Sequence, residues 1–406
     1  MRLKKNIAIL GLLAGSLVVS LLFTEAILRI AGISYPSFYI WDEYCGAANR
    51  PGARGWWKKE GNAYVTINSA GQRDREHMLA KPPNTIRIAV LGDSYAEALQ
   101  LPMECTFWSV LEKELGKCPS IGNRKVEVLN FGVSGYGTAQ ELMALRHRAW
   151  AYDPDIILLA FLTGNDIRNN LRILERDPMR PYFVYRNGKL ELDDSYKETR
   201  AYKNRTGILA RYLYASVNYS RVLQVLNEFK NRLSAYIREA RSGGGAEYRA
   251  WQAGLDYAIY KAPEGEWKEA WKVTEGILLK MNEEVSAKGA EFWVAILTNG
   301  IQVYPDKKVR EETAKNLGVD NLMYPDMRIR DLCRRHGIPV ITLVPIFQEY
   351  ADRHHVFLHG FPNEKMGSGH WNENGHRLAG EIISKELCRK SRVIHRKKQH
   401  AEVKQQ

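Results

Sequence analysis

The chain has 406 residues, 45% hydrophobic and 10% aromatic, a composition that builds a buried core in one large or two ordinary domains and excludes a disordered chain. Its net charge of +13 sits mostly at the ends: the first five residues carry +3 and residues 389–406 carry +6, leaving about +4 for the body. No nucleic-acid motif accompanies these basic ends, so a nucleic-acid partner is not implied.

From the N-terminus, MRLKKN forms a cationic flank to IAILGLLAGSLVVSLLF, residues 7–23. This uncharged run meets the ~17-residue lower limit for crossing a bilayer. It is longer than a usual signal-peptide core, no small-x-small cleavage site follows before Glu25, and no cysteine lies nearby for lipidation. Residues 1–31 therefore read as an uncleaved signal-anchor, with a cleaved signal peptide as the alternative. Arg2, Lys4 and Lys5 place the flank on the cytoplasmic side and everything after about residue 31 outside the cytoplasm.

Residues 32–85 hold several Gly, Pro and Trp and read as an extended lead-in with one strand-like stretch, AYVTI (63–67). An α/β alternation follows. IRIAVLGDS (86–94) is a β-branched strand and turn, and FWSVLEKEL (107–115) a helix. KVEVLNF (125–131) is the next strand, AQELMALRHRAW (139–150) a helix, and PDIILLAFL (154–162) a continuous apolar strand suited to cover on both faces. Later come a helix over 271–288, the strand EFWVAILTN (291–299), a helix over 327–337, the strand IPVITLV (338–344) and a closing helix over 375–388. Strands alternating with helices predict a three-layer α/β/α fold on a mostly parallel sheet.

An insertion over about 168–265 interrupts this pattern. Asn187-Gly188 between alternating runs predicts a hairpin, and long helical stretches run on to SGGG (242–245). Their aromatic and leucine stripes are expected to pack within the insertion, and the unit as a whole is placed to cover a cleft at the sheet's carboxyl edge. After residue 388 the basic tail 389–406 has almost no apolar pattern and is expected to be disordered.

Cys45, Cys105, Cys118, Cys333 and Cys388 form no C-x-x-C pair, which excludes a cysteine-based zinc or redox motif. Cys105 and Cys118 flank one helix and are a candidate disulfide. Half of the ten histidines fall within residues 354–376. His354, His355 and His359 include an i, i+4 pair, but H-E-x-x-H is absent and no third ligand is evident, so no metal site is expected. GVSGYG has the spacing G-x-x-G-x-G, and no acid closes a recognisable second strand about 20 residues later, so neither a dinucleotide nor any other cofactor is implied.

Four turns carry chemistry, and parallel strands bring them to one sheet edge, where open α/β sheets bind ligands. GDSYAEA (92–98) follows the first strand, NFGVSGYGT (130–138) the second, TGNDIRNN (163–170) the third, and HWNENGH (370–376) opens the last helix. In this order the blocks resemble those of the SGNH subgroup of the GDSL hydrolases, over residues 86–166 and 290–388. The resemblance implies a flavodoxin-like sheet and a serine esterase with Ser94 as nucleophile and His370 as base. It also implies an oxyanion hole from the Ser94 and Gly135 N–H groups and the Asn165 amide. The residue types suit the chemistry, because a serine hydroxyl needs a base to take its proton and a tetrahedral intermediate needs converging donors. Asp93 and Asp166 read as turn-forming hydrogen-bonders, His376 as a structural residue at the helix start, and Trp371 and Asn372 as packing for the loop.

The sequence departs from the family at one place. Three residues before the catalytic histidine the family carries an aspartate that orients the ring; here Gly367 stands there and Ser368 follows. Another acid such as Glu364 or Glu373 orients His370, or a backbone carbonyl does, or the site is impaired. The resulting expectation is a membrane-anchored esterase acting on an acylated carbohydrate or lipid, such as an O-acetyl ester of an envelope glycan. An O-acyltransferase of an exported polysaccharide and a degenerate glycan-binding domain are the alternatives.

Overall fold

The computed structural model describes residues 2–241 and 257–396. The SGGG stretch and the last ten residues of the tail lie outside them. The apolar N-terminal run forms one long helix, α1 (Arg2–Ile30); its segment Lys5–Ile30 is long and apolar enough to cross a membrane and contains an 18-residue stretch of mean hydropathy 2.4 that is not buried against the protein. The lead-in is more structured than its composition suggests. It forms two antiparallel hairpins, β1 (Tyr39–Asp42) with β2 (Gly46–Asn49) and β3 (Arg54–Trp57) with β4 (Ala63–Thr66).

The alternating core then begins with β5 (Thr85–Gly92), a one-turn helix α2 (Ser94–Glu97) and α3 (Phe107–Leu115). It continues with β6 (Lys125–Asn130), α4 (Thr138–His147), β7 (Ile156–Phe161) and the short helices α5 (Asp166–Asn169) and α6 (Arg172–Glu175). The insertion contributes the hairpin β8 (Tyr182–Arg186) and β9 (Lys189–Asp193), then α7 (Arg200–Thr206), α8 (Ile208–Tyr219) and α9 (Arg221–Arg241). Asn187 and Gly188 have φ of 49° and 76°, as a two-residue hairpin turn of this kind requires.

The core resumes with α10 (Glu266–Ala287), β10 (Glu291–Ile296), α11 (Lys307–Leu317) and α12 (Tyr324–Arg335). It closes with β11 (Val340–Thr342), α13 (Val344–His354), α14 (Glu373–Lys390) and α15 (Arg392–His395). β5, β6, β7, β10 and β11 form one sheet in the spatial order β11-β10-β7-β5-β6, with every pair parallel. Renumbered along the sheet this is the 2-1-3-4-5 order of flavodoxin-like folds, whose ligand crevice opens where the order reverses, beyond the carboxyl ends of β5 and β7.

Successive residues of β5 face opposite layers. Ile88 and Val90 pack with Trp108 and Leu111 of α3 and Ile383 of α14, whereas Ala89 and Leu91 pack with Leu142 of α4 and Ile277 of α10. Burial on both faces is why these strands read as continuous apolar runs.

The structure differs from expectation in three respects. α14 runs on to Lys390 and α15 buries Ile394, so ordered structure extends beyond residue 388 to 396. Among the described residues the insertion approaches the sheet's carboxyl edge through its two ends, at Arg180 and at residues 257–260, while α8 and α9 turn to the lead-in and α1 with most of their large apolar residues exposed. Cys118 pairs not with Cys105 but with Cys388, across 270 residues, joining the end of α3 to α14; Cys105 is free. Helix ends are a poor guide to pairing, because α3 itself separates the two cysteines that flank it.

Closing so long a loop restricts the unfolded chain, an effect of about 2–5 kcal/mol. Thermal unfolding with and without reductant checks this: reductant lowers the midpoint of the oxidised protein and leaves Cys118→Ser/Cys388→Ser unchanged at the lower value.

Candidate active site

β5 ends at Gly92, and the buried Asp93 caps α2 by accepting from the Tyr95 N–H at 2.9 Å. This sets Ser94 as the first residue of the helix, at the carboxyl edge of the sheet. Burial raises the Asp93 carboxyl above its ordinary range, although the Tyr95 N–H and the Asn165 amide both hydrogen-bond it. Asn165 donates its Nδ2 to Asp93 at 2.8 Å, which fixes the amide beside Ser94 and leaves one of its two N–H bonds for another acceptor. Among the described residues the N–H groups of Ser94 and Gly135 meet no acceptor within the chain.

His370 lies just before α14. Its Nε2 is 2.7 Å from Ser94 Oγ, so the two residues are within direct proton-transfer reach. On the other side of the ring Nδ1 bonds Glu60, which also accepts the His370 backbone N–H at 2.7 Å. The orienting acid is therefore Glu60, from the tip of the β3–β4 hairpin, and neither Glu364 nor Glu373. Both of those are exposed, and Glu373 accepts instead from the Cys105 thiol at 3.6 Å. Asn363 ties the hairpin tip to the histidine loop, accepting from the Gly61 N–H at 3.0 Å and donating to the Gly61 carbonyl at 2.9 Å.

Two glycines explain why the acid comes from outside the loop. Gly367, three residues before His370, has φ +83°, and a Cβ there would lie 2.6 Å from the Tyr304 ring. Gly369 has φ +73°, and its Cβ would fall 2.3 Å from Glu60 Oε1. Position 367 has no room for a side chain, and position 369 must lack one for Glu60 to approach.

The loop rests on a buried network. Trp371 Nε1 donates to Thr298 Oγ1 at 2.7 Å, and Thr298 bonds His359 Nε2 at 2.8 Å. His359 Nδ1 bonds the Gly369 carbonyl at 2.9 Å, and Tyr95 donates to the same oxygen at 3.0 Å. A carbonyl only accepts, so His359 carries its proton on Nδ1 and is neutral; burial pushes its pKa down to about 4. Among the described residues no three His, Cys, Asp or Glu side chains form a group able to hold a metal. His376 is likewise buried, accepting from the Phe107 N–H at 3.1 Å, and Asn372 caps α14.

The Gly135 loop is held from two further directions. Arg180, from the insertion, donates to the Gly135 carbonyl at 2.8 Å. Glu97 accepts from the Ser134 N–H at 3.0 Å, from the Ser134 hydroxyl and from the Tyr39 hydroxyl of β1 at 2.9 Å; burial pushes its carboxyl up to about 7 against these bonds. Beside the histidine loop, Gly164, Tyr260, Ile301, Tyr304, Gly367 and Ser368 line a cavity of about 220 Å³.

Sequence reasoning thus placed Ser94, Gly135, Asn165 and His370 at one edge but missed Glu60, Arg180 and Glu97. The only sequence signal for Glu60 is an acid in a short turn, KKEGNA, between two alternating runs.

No family model matches the chain, and no curated protein does. Solved structures similar to it include an acetyl xylan esterase, AlAXEase (11% identity, 74% of this chain and 100% of that one, TM-score 0.37). A putative lipolytic protein of the G-D-S-L family from Desulfitobacterium hafniense has 13% identity over 74% of this chain and 99% of that one, with TM-score 0.35. A catalytic mutant of Axe2, an acetylxylan esterase from Geobacillus stearothermophilus, has 9% identity over 74% and 94%, with TM-score 0.38. Likeness at this level carries no weight for the activity of this chain.

Burial lowers the His370 pKa, but the hydrogen bond and negative charge of Glu60 outweigh it, and the ring ends above its ordinary value; His370 in turn holds Glu60 below the usual carboxylate range against burial. An NMR titration should find His370 protonating above the usual ~6.5, with Glu60→Gln moving it downward because burial then acts without the compensating charge. His359 should stay neutral down to about pH 4 in both proteins.

Proposed function

We propose that the chain is a serine esterase of the SGNH/GDSL type, acting on an ester such as O-acetyl on an extracytoplasmic glycan or lipid. The observation that carries this is the continuous Ser94–His370–Glu60 contact, with Nε2 2.7 Å from Oγ. Ser94 Oγ attacks the ester carbonyl carbon as its proton passes to His370 Nε2. Glu60 holds the Nδ1–H and stabilises the imidazolium that forms. The developing oxyanion accepts from the Ser94 and Gly135 N–H groups and from the second N–H of Asn165. Collapse breaks the bond to the alcohol oxygen, which takes the proton from His370 and leaves an acyl-Ser94. Water, deprotonated by the same nitrogen, then attacks the acyl carbon; the bond from that carbon to Ser94 Oγ breaks, Oγ takes the proton back from His370, and the carboxylic acid leaves.

Gly367 ceases to argue for a degenerate site once Glu60 fills the orienting role. The small, partly aromatic cavity beside Ser368 suits a short acyl group or one face of a sugar ring. The cationic first turns of α1 and the Cys118–Cys388 disulfide both agree with anchoring that leaves the catalytic domain in an oxidising compartment outside the cytoplasm.

A fluorophosphonate probe should label the wild type and fail on Ser94→Ala; labelling that survives in Ser94→Ala sinks the proposal. With short acyl esters, Glu60→Gln should lower kcat roughly a hundred- to ten-thousand-fold, while Glu364→Gln and Glu373→Gln stay near wild type. Asn165→Ala should cost roughly a hundred- to a thousand-fold in kcat. Supplying an oligosaccharide acceptor in the same assay separates hydrolysis from acyl transfer by the product formed.

A further inference from the structure

A helix on the surface of a globular protein normally turns its apolar face inward. In α8 and α9 the arrangement is reversed. The inward face of α8 is hydrogen-bonding: Tyr214 donates to Ser37 Oγ at 2.8 Å, and Asn218 accepts from the Ser37 N–H at 3.1 Å. Ile208, Leu209, Tyr212 and Leu213 are turned outward and exposed. On α9 the inward residue is the buried Gln224, which accepts from the Tyr35 N–H at 2.9 Å and donates to the Asn218 carbonyl at 2.8 Å. Leu226, Phe229, Leu233 and Tyr236, spaced three and four apart on one stripe, face outward, with Phe229 66% and Tyr236 70% exposed.

We propose that α8 and α9 form a membrane-docking element that lies on the lipid surface and inserts this stripe at the headgroup boundary of the bilayer that α1 enters. The proposal rests on the reading of α1 as a membrane anchor. Three observations favour lipid as the occupant. First, the two helices are fastened to α1 where its apolar run ends: Phe23 is its last residue, and Glu25 accepts from the Arg221 and Val222 N–H groups at 3.0 Å each. Arg29 donates to the Tyr219 carbonyl at 2.8 Å, so the α8–α9 junction stands where α1 leaves the hydrocarbon. Second, residues 208–241, which form α8 and α9, hold six Lys or Arg and two Glu, a cationic balance that complements anionic headgroups. Third, the outward tyrosines among leucines match the residue types that settle at a membrane interface.

The test uses the full chain with Cys105→Ser, which removes the free thiol that is not buried, reconstituted in phosphatidylcholine–phosphatidylglycerol vesicles. An environment-sensitive NBD label is placed singly at Tyr212→Cys, Phe229→Cys, Arg232→Cys and, in α1, Leu13→Cys. Labels at 212 and 229 should be blue-shifted and lose about two-fold or more of their emission to doxyl-lipid quenchers, while the label at 232 is quenched by aqueous iodide. Lipid quenching at Leu13 with iodide quenching at 212 and 229 would overturn the docking and leave the anchor intact. Absence of lipid quenching at Leu13 would overturn the anchor and the docking with it. Protection of 212 and 229 from both quenchers, with crosslinking between identical positions, would assign the face to a second copy and overturn the proposal as well.

Discussion

The contact between Glu60 and His370 is the interaction on which the rest of the site depends. It joins residues 310 apart in the chain through two bonds, one to the ring and one to the backbone N–H, so it sets both the tautomer and the position of the imidazole. Both groups are largely withdrawn from water, and each shifts the other toward its charged form despite burial. Loss of either partner has a different consequence: without Glu60, burial drives the His370 ring toward its neutral form, and without His370, Glu60 is left as an uncompensated charge in a poorly hydrated place. The left-handed Gly369, the Asn363 clamp on the hairpin tip and the neutral His359 beneath the loop all serve to keep this contact in register.

The parallel sheet supplies the edge at which the turns converge, but it does not complete the site. The lead-in contributes Glu60 and, through Tyr39, part of the support of Glu97 under Ser134. The insertion contributes Arg180 to the Gly135 carbonyl. These segments lie outside the α/β alternation, yet they determine how the surroundings of Ser94 are oriented. A loop carrying donors for a developing charge is useful only if it is already held before the charge appears, which explains why it is braced from both neighbours.

The same lead-in links the site to the N-terminal helix. β1 and the segment before it form the inner surface on which α8 rests, and α9 begins on Glu25 of α1. The sheet's carboxyl edge, the insertion and the apolar helix are thus parts of one packed assembly with short connections. Placing the candidate site on such an assembly limits how far it can stand from the bilayer that α1 is proposed to enter.

The amino-acid sequence by itself determined the elements whose cause is local. The β-branched runs at 86–92 and 156–161, the 3.6-residue spacing of α10 and the Asn187-Gly188 turn each carry their signal within a few residues, and the order of the four turns put Ser94, Gly135, Asn165 and His370 at one sheet edge. Only the tertiary structure decided what depends on distant contacts: Glu60 as the partner of His370, Cys388 as the partner of Cys118, Arg180 under Gly135 and the outward face of α8 and α9. An acid in a hairpin tip looks the same in sequence whether it faces solvent or an imidazole, and a helical apolar stripe has the same period whether it faces a core or a membrane. Periodicity specifies which residues share a face; packing specifies what that face meets.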